Sequence, residues 1–287
     1  MRRTPMRHVP IVDAHVHFWD LGTLHYPWLT AHPRLERSFL PADYTAAVGA
    51  LPVERCVIVE CNCLPTEGIR EVEWFERLGH VDPRVAGVVA FADLTDRMTL
   101  EATLDCLTST SIVKGIRQNI QGQPGGFALQ STFVHGVRQI GRRGLSFDLC
   151  VTHDQLGEAI ALVRQCPETR FVLDHCGKPP IRSGAREPWR RDIACLAAHE
   201  NVYCKLSGLL TEADLTSWRE ADLLSYAEHV VECFGIDRVL YGSDWPVLTL
   251  AGDYASWFAF TARLTESWSD DERGRFYSEN AARVYRL

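Results

Sequence analysis

Short runs that are apolar at nearly every position recur along the chain, at 56–60, 85–91, 112–118, 145–151, 170–175, 202–206 and 238–244, and Ile11 with Val12 opens an earlier one. A strand covered on both faces has no wet side, so a continuous apolar run is its mark. Between the runs the apolar residues fall three or four apart. Ile69, Val72, Phe75 and Leu78 make one helical face, and Thr66 is the expected cap before it. The same spacing recurs in Leu100, Leu104 and Leu107, in Val134, Val137 and Ile140, in Leu156, Ala159, Ile160 and Val163, in Ile193, Leu196 and Ala197, and in Tyr226, Val230, Val231 and Phe234. A short helix is expected over 43–48. The Pro- and aromatic-rich stretch 25–41 has no period and predicts a long loop above the first strand. Eight strand–helix units in about 250 residues predict a closed parallel (β/α)8 barrel of the TIM type. No Gly-x-Gly-x-x-Gly follows any strand, which argues against a dinucleotide fold. No stretch shifts in composition like a linker, so residues 1–287 are expected to form one domain, with 1–8 a flexible N-terminus.

Composition narrows the function. The 287 residues are 46% hydrophobic and 23% charged, ordinary for a globular protein. A formal charge of −7 argues against nucleic acid and anionic membrane as partners. No apolar run approaches the roughly 20 residues that span a bilayer. Arg2, Arg3 and Arg7 precede an apolar run that Asp13 and His15 interrupt, so no secretory signal is expected. Of the ten cysteines, Cys56, Cys150, Cys176 and Cys204 lie in or beside strand-like runs, which fits reduced thiols in a cytoplasmic protein. Cys61-Asn62-Cys63 has no second pair at zinc-site spacing and is assigned a structural role.

The chemistry starts at Val12–Asp20. His15 and His17 are two apart, so in a strand both imidazoles project from one face. Such a pair binds a divalent metal or hydrogen-bonds one small polar ligand; alone it also fits a turn that happens to hold two histidines. In a barrel, all C-terminal strand ends meet at one face. The polar residues at those ends are His15, His17, Glu60, Arg117, Gln118, Asp148, His153, His175, Lys205, Ser207 and Asp244. Each has a structural reading by itself: Asp148 can brace a loop, and His153 can open a helix with Asp154. Together they are costly to desolvate, and their convergence points to a site.

Several segments resemble a known family. They are Asp13-Ala-His15-Val-His17-Phe-Trp-Asp20, Val113-Lys-Gly-Ile-Arg117, Val172-Leu-Asp-His175-Cys-Gly-Lys178-Pro179, Asn201-Val-Tyr-Cys-Lys205-Leu-Ser207-Gly208, Tyr241-Gly-Ser-Asp244-Trp245-Pro246-Val247 and Asn280-Ala-Ala-Arg-Val-Tyr285. In this order they resemble the amidohydrolase superfamily, and more closely its sugar-lactone hydrolases, the group of L-fuconolactonase and L-rhamnonolactonase. The resemblance implies that Asp244 is the general base toward water. It implies that His15, His17 and His175 either hold a metal with Asp244 or hydrogen-bond the lactone carbonyl directly. Arg117 would orient substrate oxygens. Gln118, Glu60, Lys205, Ser207 and His153 are further candidate substrate contacts, and Trp28 would cover the sugar ring. Glu60 stands where much of the branch has a neutral glutamine, so a role as ligand or second base is also open.

Binuclear members of the superfamily carry a lysine at the end of strand four and a histidine at the end of strand five. Here Arg117 takes the first place and Asp148 the second, with His153 later. One divalent metal at most is therefore expected, with zinc the leading candidate and metal-free catalysis the alternative. The expected substrate is a small sugar lactone, opened to its acid in carbohydrate catabolism. Homo-oligomerisation is compatible with the sequence. The alternatives are a metal-dependent decarboxylase on the same site, and a non-enzymatic binding barrel.

Overall fold

The computed structural model describes residues 9–287; the flexible N-terminus expected over 1–8 lies outside the described residues. Eight parallel strands pair in sequence order: β1 Ile11–Val16, β2 Val53–Val59, β3 Val85–Phe91, β4 Val113–Arg117, β5 Ser146–Leu149, β6 Arg170–Leu173, β7 Val202–Leu206 and β8 Val239–Tyr241. The ring closes where β1 meets the segment after β8. His17 N donates to Trp245 O at 2.7 Å, and Asp244 N donates to His15 O at 2.8 Å. The main helices are α1 Pro41–Val48, α2 Gly68–Val81, α3 Leu100–Thr108, α4 Ser131–Arg142, α5 Leu156–Gln165, α6 Trp189–Ala197, α7 Leu209–Glu212, α8 Glu220–Phe234, α9 Tyr254–Leu264, α10 Asp270–Gly274 and α11 Asn280–Tyr285. The (β/α)8 barrel expected from the apolar runs is the fold observed. Among the described residues, no helix is long and apolar enough to cross a membrane.

The alternation of side chains divides the core in two. Ile58, Val88 and Ala90 join the large layer that also takes in helix residues such as Val72, Leu104 and Val137. Their neighbours Val57, Val59 and Val89 join Val12, Ala14, Val172 and Leu240 in a smaller interior cluster. Ala281, Val284 and Tyr285 of α11 belong to that interior cluster, so this helix plugs the barrel at the end opposite the site.

Local differences from the expected elements have physical causes. Thr66 caps no helix: it sits inside the 3-10 turn Pro65–Glu67, and α2 begins at Gly68. Helix α1 starts two residues earlier than its apolar spacing indicates, at Pro41, a residue whose fixed φ suits a first turn. Strand β5 is shorter than 145–151 because the carbonyl of Cys150 accepts from Ile120 N and Gln121 N, at 3.1 and 3.0 Å. All ten cysteines are free, and Cys106 is exposed rather than buried.

Candidate functional site

Strand β1 does not run straight to its two histidines. Asp13 pairs with Cys56 and Val16 with Ile58, so three steps on β1 face two steps on β2. This extra residue is a bulge, and a bulge re-aims side chains. Val12 and Ala14 point into the barrel, while Asp13 points out to the hydroxyls of Tyr44 and Tyr254 at 2.9 and 3.0 Å. After the bulge His15 points inward, to Lys205 and Asp174 across the barrel, and His17 follows it. Asp13 also accepts from Ser243 N at 2.8 Å, which ties β1 to the turn that carries Asp244.

The other two members stand on left-handed backbone. His175, Cys176, Gly177 and Lys178 have φ of 52°, 54°, 66° and 49° in succession, and Asp244 has φ 61°. Non-glycine residues avoid this region, and such strain concentrates at functional positions. Gly208, at φ +67°, allows close approach: a Cβ there would meet His175 Nδ1 at 2.6 Å. Ser207 Oγ then holds the same nitrogen at 2.9 Å.

The result is a knot of four side chains. His15 Nε2 lies 3.1 Å from His17 Nε2 and 3.7 Å from Asp244 Oδ1. Asp244 Oδ1 is 3.5 Å from His17 Nε2 and 3.8 Å from His175 Nε2. Two ligands on a tetrahedral zinc, each about 2.0–2.1 Å from it, stand about 3.3–3.4 Å apart. The spacing and the imidazole–carboxylate chemistry of His15, His17 and Asp244 therefore fit a single divalent metal, with His175 close to Asp244 at its side. Burial pushes His175 down to about 4, so its ring is neutral near pH 7 and able to ligate. Burial and the Lys205 charge likewise hold His15 well below the usual imidazole range. Burial alone would raise Asp244, but the surrounding imidazoles outweigh it and keep the carboxylate ionised.

Beneath the imidazoles runs a chain of buried charges. Lys205 Nζ contacts Asp148 Oδ2 at 2.6 Å and Asp174 Oδ1 at 2.9 Å. Arg117 contacts Asp174 Oδ2 at 3.2 Å and Glu60 Oε1 at 2.6 Å. Tyr285 OH donates to Asp148 Oδ2 at 2.7 Å, so the plug helix braces the network from below.

Above the knot opens a cavity of about 270 Å³, into which His17, His175, Asp244, Arg117 and Trp28 all face. The structure moves five expected substrate contacts out of reach of this space. Lys205 and Ser207 are fully buried, the first among carboxylates and the second against His175. Glu60 is 1% exposed and holds Arg117 and Asn62 N. Gln118 bonds Leu94 N and Asp93 at the edge of β3, and His153 stands in the turn His153–Gln155, outside the lining. The lining brings in residues that the sequence did not single out for the site, among them Asn62, Asn119, Gln121, Lys178 and Glu212. Asn119 Oδ1 is buried without a partner, and Glu212 is raised by burial despite nearby Lys178. Asp174 was also missed. It immediately precedes His175, and its place at the end of an apolar run was a signal available in the sequence.

A family model described as amidohydrolase matches residues 12–287. An L-fucono-1,5-lactonase from Burkholderia ambifaria is 33% identical over 285 residues, covering 96% of this chain and 95% of the relative. A second L-fucono-1,5-lactonase, from Burkholderia multivorans, is 30% identical over 96% of both chains. Among solved structures, an amidohydrolase from Burkholderia multivorans with bound zinc superposes with a TM-score of 0.88 at 30% identity, over 97% of this chain and 99% of that one.

Proposed function

The chain belongs to the amidohydrolase family, and on that premise we propose that it is a lactonase that opens a sugar lactone to its acid. One observation carries this reading: an ionised Asp244 ringed by imidazoles opens on a cavity whose wall bears Trp28 and the polar side chains of Asn119, Lys178 and Glu212. Asn119, Glu212 and Lys178 put acceptors and a donor in this wall, and Asn119 Oδ1 has no hydrogen-bond partner among the described residues. An aromatic face beside such groups suits a ring carrying several hydroxyls, apolar on one side and polar at its rim. A carboxylate in the wall disfavours a multiply anionic substrate.

Asp244 takes the proton of the attacking water and returns it to the ring oxygen that leaves as the new alcohol. Arg117 keeps its guanidinium at the cavity floor, held by Glu60 and Asp174, where fixed positive charge meets the developing oxyanion. His15, His17 and Asp244 are the residues that would hold a metal, with His175 beside Asp244, and a metal bound there would supply polarisation of the carbonyl and a more acidic water. Zinc suits this donor set best. A place in carbohydrate catabolism follows from a sugar-acid product.

A panel of five- and six-membered sugar lactones, followed with a pH indicator, tests the reading. The expected result is hydrolysis well above the buffer rate, and better for polyhydroxylated rings than for unsubstituted ones. No acceleration with any lactone, from folded and zinc-supplemented protein, would refute it.

A further inference from the structure

The ring of His15 stands between rival partners. On its Nδ1 side lie Lys205 Nζ at 3.2 Å and Asp174 Oδ1 at 3.3 Å, a donor and an acceptor. On its Nε2 side lie His17 Nε2 at 3.1 Å, Arg117 Nη1 at 3.5 Å and Asp244 Oδ1 at 3.7 Å. A neutral imidazole has one N–H and can satisfy only one side with it.

The neighbouring ring decides which arrangements are allowed. His17 Nδ1 lies 2.9 Å from Val59 O, and a carbonyl only accepts. The His17 proton is therefore on Nδ1, and its Nε2 turns a lone pair toward His15. Two lone pairs cannot face each other at 3.1 Å, so either a proton on His15 Nε2 or a cation must separate them. With the proton on Nε2, His15 Nδ1 accepts from the Lys205 ammonium and the His15 ring donates nothing to Asp174 Oδ1, which keeps only its contact with Lys205. Among the described residues that buried oxygen has no well-aligned hydrogen bond, with Lys205 Nζ 2.9 Å away as a charge contact and His15 Nδ1 at 3.3 Å. With a cation at the knot, His15 Nε2 must offer its lone pair, and the proton moves to Nδ1. There Asp174 Oδ1, 3.3 Å away, is the acceptor in reach among the described residues.

We propose that Asp174 is a positioning residue which, set against Lys205, makes His15 a two-tautomer ring. Without metal, Nε2–H is donated to His17 and Nδ1 accepts from Lys205. With metal, Nδ1–H is donated to Asp174 and Nε2 ligates. One proton leaves Nε2 for water and one arrives at Nδ1, so the ring stays neutral and the count of protons is unchanged. Lys205 loses its contact to His15 but keeps Asp148 and Asp174. Asp174 thus rewards the ligating tautomer that Lys205 alone would oppose, the role carboxylates play behind metal-bound histidines.

Two measurements on the full chain test this, neither involving a lactone, so they succeed or fail independently of the substrate. Nitrogen-15 spectra of the labelled imidazoles, with His15 assigned by its loss in His15→Gln, should show Nε2–H in the metal-free protein and Nδ1–H after zinc is added. Zinc affinity, measured by competition with a chelator, should fall about 10–100-fold in Asp174→Asn. The proposal is overturned by one His15 tautomer in both states, by absence of zinc uptake in the unsubstituted chain, or by equal affinity in a folded Asp174→Asn. If Asp174→Asn does not fold, the spectra of the unsubstituted chain decide.

Discussion

Asp244 keeps its charge in surroundings that would normally neutralise a carboxylate, because imidazoles crowd it on three sides. Replacing it with asparagine keeps the shape and removes the base. For Asp244→Asn, kcat on the best lactone should fall by about 10²–10⁴, the usual contribution of a positioned base. Steady-state kinetics checks this, and turnover within a few-fold of normal would take Asp244 out of the role. The four residues of the knot were legible in the sequence because each stands at or just past the end of an apolar run and the pairing rule puts His15 and His17 on one side. Depth was not legible. Lys205 stands near the end of an apolar run just as His175 does, yet it lies inside β7 and its ammonium is buried under the rings rather than facing the cavity. A charge on a strand covered on both faces must be paired inside, and Asp148 and Asp174 were the carboxylates present to do it.

At the scale of elements, the apolar runs located all eight strands, because a strand covered on both faces is mostly apolar and its few charges are paired inside or lie at its ends. Their ends were less legible, since they depend on hydrogen bonds from loops, as Cys150 shows. The bulge in β1 was invisible for a similar reason: it is defined by the register against β2, not by the residues of β1. The turn that carries His175 offers a sharper test. Gly208 has φ +67°, and a methyl group there would enter the His175 ring. Gly208→Ala should cost about 1–2 kcal/mol for the backbone alone, before any repacking. It should also displace His175, so turnover should fall further than stability does. Urea melts and kinetics on the same preparation would separate the two; full activity would show that the ring can move aside.

Over the whole molecule, the buried charge chain links β2, β4, β5, β6 and β7 and the plug helix through single contacts. Lys205→Met removes the cation from between two carboxylates and leaves them facing each other. Loss of one partner from a buried pair costs about 3–5 kcal/mol, and denaturant unfolding should show a loss of that size. An unchanged midpoint would mean that water reaches the network. The closure of the barrel has a further consequence. The amides that join the first strand to the last segment of the wall belong to His17 and Asp244, and their side chains are the ones a ligand would gather. Anything bound there acts as a clasp on the cylinder: the two edges cannot part without releasing it. Occupancy should therefore slow deuterium uptake at these two amides more than at β4 or β5. Binding at 100 times Kd would add about 2.7 kcal/mol to the work of opening the ring. Equal slowing all round the barrel would mean that the clasp adds nothing of its own. Otherwise the enzyme is hardest to open while it holds a ligand.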